Sequence, residues 1–303
     1  MRTNSKKVLI TGATGFIGRR LTAELLSQGH NLRCLVRGES SHLPEGVDAV
    51  RGDMFDRDSL VAAMQGVDTA YYLVHSMAGG RAGFEQRDRD AATNFVSAAE
   101  QCHVRRVIYL GGLGELGDNL SEHLKSRREV ADILKSGSFA TTVLRAAVII
   151  GAGGASFELV RGLVERLPIM ITPLWVSTRC QPIAVNDVIG YLVGCLNDER
   201  TAGHVFDIGG PDIMTYRKMM ERFAAIEGKR LWILPVPVLT PKLSAYWVAL
   251  FSPIKSSVSM PLIEGLSNEV ICQDNSIREL IPLQLTPYDM AVQQALQEPN
   301  KKQ

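Results

Sequence analysis

The stretch TGATGFIG, from Thr11 to Gly18, decides the fold of this chain. An apolar run, Val8-Leu9-Ile10, precedes it and reads as a buried first strand, while Ile17, Leu21, Leu25 and Leu26 follow it on one helical face. A strand, a glycine-rich turn and a helix in that order form a phosphate cradle. Glycines at 12, 15 and 18 let the backbone turn tightly and approach a pyrophosphate, and the N–H groups at the positive end of the helix hold the anion. The spacing is G-x-x-G-x-x-G, not the G-x-G-x-x-G of the two-domain dehydrogenases. Set between a first strand and an amphipathic helix, it implies dinucleotide binding by Thr11, Gly12, Thr14, Gly15, Phe16, Ile17 and Gly18.

Outward from this loop, short β-rich runs alternate with helical ones. Strands are expected at Lys7–Thr11, Asn31–Val36, Ala49–Arg51, Thr69–Val74, Arg106–Leu110 and Thr141–Ile150, with helices at 16–27, 57–65, 84–101 and 122–135. Such alternation predicts a doubly wound α/β fold, a parallel sheet with helices on both faces. Ligands bind such sheets at the carboxyl ends of the strands, which singles out Gly12–Gly18, Arg37, Asp53, His75 and Gly111–Gly114. Residues 1–150 form this domain in our reading. Residues 183–209 return to it through a strand at Ile183–Val185, a helix at Asp187–Leu196 and a strand at Val205–Ile208. The remainder of 151–303 predicts a smaller, mostly helical C-terminal cap, with helices at 155–166, 216–227, 241–250 and 287–297. Thr240-Pro241 and Thr286-Pro287 each place a capping residue before a proline at the first helical position.

Composition narrows the partners. The 303 residues carry a formal net charge of +1 and no basic stripe interleaved with aromatics, which argues against nucleic acid. Five cysteines, at 34, 102, 180, 195 and 272, form no C-x-x-C pair, so neither zinc nor a structural disulfide is expected. With no leader-like start and no apolar stretch of spanning length, the expectation is a cytoplasmic protein.

TGATGFIG, GDM at 52–54, RRVIYL at 105–110, TTVLRAAVIIG at 141–151, IAVNDV at 183–188 and FDIGG at 206–210 together resemble the extended short-chain dehydrogenase/reductases. The chain is most similar to their atypical, NmrA-like and YbjT-like branch, relatives of the complex I 39 kDa subunit. That resemblance implies a Rossmann sheet. It also implies an Asn, a Ser and a Tyr-x-x-x-Lys pair for proton transfer. No tyrosine here stands four residues before a lysine. Aligning the apolar face Val130, Ile133 and Leu134 puts His123 at the tyrosine position and Arg127 at the lysine position, while a shifted register offers Ser121 and Lys125. Asp88 stands where the family has asparagine, and Gly112 where it has serine.

His123 is therefore the expected proton-transfer group, with Arg127 one turn on. The competing reading of SEHLKSRRE is a solvated helix start. Asp88 is a second acid or base, or plainly a helix N-terminal carboxylate. Arg37, where NAD-specific relatives carry an acid, favours the 2′-phosphate of NADP(H) over NAD(H). Asp53 and Met54 resemble the adenine contact, although Asp53 also suits a turn after Gly52. Val74 and His75 would line the nicotinamide ribose, His75 through its backbone. Arg145 matches an arginine that relatives carry before proline, but Ala146 follows it here. HSMAGGRAG at 75–83 has the composition of a lid.

LWILPVPVL and YWVALFSPI bring Trp232, Trp247, Tyr246 and Phe251 into an apolar region. It reads as core, with Trp232 expected inside, against the alternatives of a lipophilic ligand site or a peripheral membrane contact. These residues predict an NADP(H)-binding oxidoreductase for a small apolar carbonyl or quinone-like compound. A non-catalytic cofactor sensor or assembly protein is the competing reading. No metal site is expected.

Overall fold

In the computed structural model, residues 7–38, 43–75, 83–114, 122–172, 174–235 and 268–298 are described. The first half winds as expected: β1 (Lys7–Thr11), α1 (Phe16–Ser27), β2 (Asn31–Val36), β3 (Asp48–Arg51), α2 (Arg57–Met64), β4 (Thr69–Tyr72), α3 (Phe84–Gln101), β5 (Arg106–Gly112), α4 (Glu122–Lys135) and β6 (Ala140–Ala146). The second half contributes β7 (Ile149–Ile150), α5 (Ala155–Arg166), β8 (Ile169–Thr172), β9 (Arg179–Cys180), β10 (Ile183–Ala184), α6 (Val185–Asn197) and β11 (Val205–Ile208). It closes with β12 (Met214–Thr215), α7 (Tyr216–Ile226), β13 (Trp232–Pro235), α8 (Ile277–Leu280) and α9 (Tyr288–Gln297).

Seven strands pair in parallel in the order β11-β6-β5-β4-β1-β2-β3. The central strands are buried on both faces, as their unbroken apolar sequences require: Val8, Leu9 and Ile10 have no exposed surface. One face packs under α1 and α6 through Leu21, Leu25, Val188 and Leu192. The other packs under α2, α3 and α4 through Leu60, Phe95, Val130 and Leu134. The order reverses between β1 and β4, and at such a switch point the carboxyl ends of the strands open a crevice. A third core, around Phe157, Val176, Met219, Phe223 and Val292, belongs to the second half. There three two-stranded ribbons accompany the helices: β7–β10, β9–β12 and β8–β13.

Several expectations are corrected. The strand expected over Thr141–Ile150 breaks in two, because β7 leaves the main sheet to pair with β10. The strand at Ile183 therefore does not return to that sheet, whereas α6 and β11 do. The strand expected to reach Val74 stops at Tyr72, and Leu73 N donates to Thr11 Oγ1 rather than to a neighbouring strand. Thr286 does not cap α9: its N–H and hydroxyl both donate to Asp187, at 2.8 and 2.9 Å. Burial raises the Asp187 carboxyl pKa, and these two bonds oppose that shift. Trp232 is 65 % exposed, not core, because β13 turns Ile233 inward and Trp232 outward. The helix expected at 241–250, the Thr240-Pro241 cap, Trp247, Tyr246, Phe251 and lid positions 76–82 lie outside the described residues.

Candidate functional site

Backbone geometry builds the first part of the site. Gly12 sits at φ +73°, and a Cβ there would lie 2.7 Å from Leu73 O at the end of β4. A Cβ on Gly18 would lie 2.1 Å from Gly12 O, so neither position accepts a side chain without moving backbone. Gly15 N donates to Gly12 O at 2.9 Å and closes the turn. Gly15 then caps α1 with no side-chain hydrogen bond, and no acidic residue occupies the first turn. α2 differs: its own Asp56 accepts from Asp58 N and Ser59 N. The positive end of α1 is thus left to a ligand anion, and these residues fit a dinucleotide pyrophosphate. Thr14 and Gly15 are exposed at the mouth of the cradle. Ile17 packs into the core beneath it, and Phe16 meets Gly151 and Gly154 of the second half. Thr11 is fully buried, its hydroxyl donating to Tyr71 O at 3.0 Å, so its side chain stitches β1 to β4.

Arg37 follows β2 directly, is exposed, and forms no ion pair among the described residues. Asp53 Oδ1 accepts from Phe55 N at 2.9 Å, the turn geometry anticipated for it. Met54 is buried, and its carbonyl accepts from Asn94 Nδ2 at 3.1 Å.

Side chains from three elements build the second part. His75 follows β4 by three residues, just beyond the Leu73 carbonyl that Gly12 touches. Its Nδ1 lies 3.2 Å from Asp88 Oδ2 on α3, and Ser126 Oγ on α4 donates to the same oxygen at 3.1 Å. Asp88 and Ser126 are buried. Asp88 is thus not a carboxylate solvating a helix start: it points inward from the second turn and joins His75 to α4. His75, read from sequence as a backbone contact, takes part through its ring. Burial, and after it the nearby Arg127 guanidinium, pushes the His75 pKa down to about 4, against the opposing pull of Asp88. The ring is neutral at pH 7. With Nδ1–H given to Asp88, its Nε2 carries the lone pair.

Arg127 is held beside the cluster, donating to Leu110 O at 3.5 Å and accepting at its own carbonyl from Tyr109 OH at 3.4 Å. Lys125 is exposed on the other side of α4, so the shifted register places no ammonium here. His123 lies in the first turn of α4, and its side chain is outside the described residues, as is Ser121. Arg145 is drawn elsewhere: it pairs with buried Asp207 at 2.6 Å, and Asp207 Oδ2 also accepts from Gln273 N at 2.9 Å. That network fastens the chain's tail to β11 and β6. Ser126 was missed by sequence reasoning. Its only signal is position, since it shares the inward face of α4 with Val130 and Leu134.

Known proteins resemble this chain in sequence and in fold. Residues 12–159 match the family described as NAD(P)H-binding. The chain is 24 % identical to the Arabidopsis thaliana mitochondrial NADH dehydrogenase [ubiquinone] 1 alpha subcomplex subunit 9, over 92 % of this chain and 75 % of that protein. It is 26 % identical to the Zea mays chloroplastic divinyl chlorophyllide a 8-vinyl-reductase, over 76 % of this chain and 62 % of that longer protein. Among solved structures, Citrobacter sp. triphenylmethane reductase complexed with NADP(H) superposes with a TM-score of 0.77 at 19 % identity, covering 95 % of this chain and 99 % of that one.

Fold and site together define an NAD(P)-binding Rossmann-type domain. Its homologues lie in the atypical short-chain dehydrogenase/reductase group.

Proposed function

We propose that this protein is an NADP(H)-dependent oxidoreductase that interconverts a small apolar carbonyl or quinone-like compound and its reduced form. The observation that carries this reading is the meeting of the glycine cradle with the His75–Asp88–Ser126 cluster on one edge of the sheet. A nicotinamide held at this crevice would supply hydride-transfer chemistry. Arg37 would hold the 2′-phosphate, and Asp88 fixes the His75 tautomer. The neutral ring accepts the substrate hydroxyl proton as hydride leaves the carbon, and returns it in the reductive direction. Arg127 offsets negative charge on the substrate oxygen. His123 and Arg127, at the family's tyrosine and lysine positions, give a second route for the same proton. The reductase names of two similar proteins, one solved with NADP(H), support the reaction class. We propose a cytoplasmic location as well; the five free cysteines support it in so far as they suit a reducing compartment.

A non-catalytic reading as a cofactor sensor or assembly protein has its own support, in the absent Tyr-x-x-x-Lys pair and the likeness to a mitochondrial NADH dehydrogenase subunit. NADPH oxidation against a panel of apolar ketones and quinones separates the two. Turnover that falls roughly 10²–10⁴-fold in His75→Ala, with NADPH affinity kept, supports the enzyme. The same loss in His123→Ala alone moves the proton to His123. Tight NADPH binding with no turnover in any direction favours the assembly protein.

A further inference from the structure

The β8–β13 ribbon alternates strictly. Met170, Thr172 and Ile233 point into the core of the second half at 1–4 % exposure, while Ile169, Ile171, Trp232 and Leu234 point outward at 50–65 %. The register sets Trp232 beside Ile169 and Leu234 beside Ile171, so the four outward side chains form one continuous apolar face. Large apolar side chains clustered on a surface mark an interaction site rather than scattered exposure.

Charge indicates the partner. The strands are parallel, so both are entered from one end, and that end carries Arg166 before β8 and Lys229-Arg230 before β13. Lys229 pairs with Glu227 at 2.7 Å, and Glu165 is engaged by Arg161 at 2.8 Å. Arg230 is exposed and forms no ion pair among the described residues. Neither strand contains an acidic residue. The sequence from Gly228 to Ile263 holds four cations (Lys229, Arg230, Lys242 and Lys255) and no acid. At the chain's average composition about four acids would fall in a stretch of that length.

We propose that the outward face of this ribbon docks on an anionic lipid bilayer. Trp232, Ile169, Ile171 and Leu234 enter the interfacial zone, and Lys229 and Arg230 meet the headgroups. No helix among the described residues is long and apolar enough to cross a membrane. The proposal stands apart from the cofactor site and does not depend on catalysis.

The test is co-sedimentation of the full chain with phosphatidylglycerol/phosphatidylcholine vesicles and with pure phosphatidylcholine vesicles. The wild type should pellet with the anionic vesicles, less so at high salt, and weakly with the neutral ones. Trp232→Ala/Leu234→Ala and Lys229→Gln/Arg230→Gln should each lower anionic-vesicle partitioning on the order of tenfold, with circular dichroism unchanged. If the first pair disturbs folding, brominated-lipid quenching decides: it should be strong in the wild type and largely lost in Trp232→Phe. Failure of the wild type to pellet, or equal pelleting of a folded Trp232→Ala/Leu234→Ala variant, would overturn the proposal. So would self-association that this variant abolishes in the absence of lipid, because the face would then belong to a second copy.

Discussion

The two halves of the crevice, the β1–α1 cradle and the cluster where β4, α3 and α4 meet, sit on one sheet edge but are built by different means. The cradle is made of backbone. Its chemistry lies in N–H groups and a helix terminus, and side chains matter by being absent at Gly12 and Gly18. The cluster is made of side chains 75, 88 and 126, brought together by packing across three elements. A binding surface of backbone tolerates change nearby and none within it. A cluster of side chains is open to replacement, and this chain carries no tyrosine four residues before a lysine.

That contrast makes separable predictions. Asp88→Asn should lower turnover about 10²–10⁴-fold, as far as His75→Ala does, because an amide no longer fixes the His75 tautomer. Its NADPH affinity should stay near wild type, and a parallel loss of affinity would mean the two halves are not independent. Gly18→Ala should do the reverse: about a hundredfold weaker NADPH binding, on the order of 3 kcal/mol, as its methyl forces the Gly12 carbonyl aside. Calorimetric titration of both variants reads the comparison directly.

Smaller in size is the acid response of the fold. His75 ionises near 4 in the folded protein and near 6.5 when unfolded, so the unfolded chain binds more protons between those values. This group's share of stability is complete above pH 6.5 and is lost as pH falls toward 4. Asp88 and Arg127 are the charged groups that set this pKa in opposite directions. Urea unfolding at pH 7 and pH 5 should show a wild-type loss of about 2 kcal/mol that His75→Gln lacks.

The cradle was legible because glycine spacing reports backbone constraint directly, and α1, α3, α4 and α5 begin and end where their periodicity places them. The cluster was legible only in part. Asp88 and Arg127 were identified by alignment to the family's catalytic positions, but nothing in local sequence shows that Asp88 turns inward to His75. Ser126 was invisible because a buried serine on an apolar helix face has no pattern of its own. Trp232 was misjudged for a related reason: in a four-residue strand, composition does not say which alternate set faces the core. Arg145 carried a family signal, yet buried Asp207, 62 residues on, engages it.

The central claim is that the crevice is built for NADP(H), and paired titrations with NADPH and NADH test it most directly. Arg37 stands exposed directly after β2. A charge-assisted pair with the 2′-phosphate is worth about 1.5–3 kcal/mol, so NADPH should bind at least roughly tenfold tighter than NADH. Arg37→Ala should remove most of that margin and leave NADH affinity nearly unchanged. Equal affinities for the two cofactors in the wild type, or a margin that survives Arg37→Ala, would contradict the account.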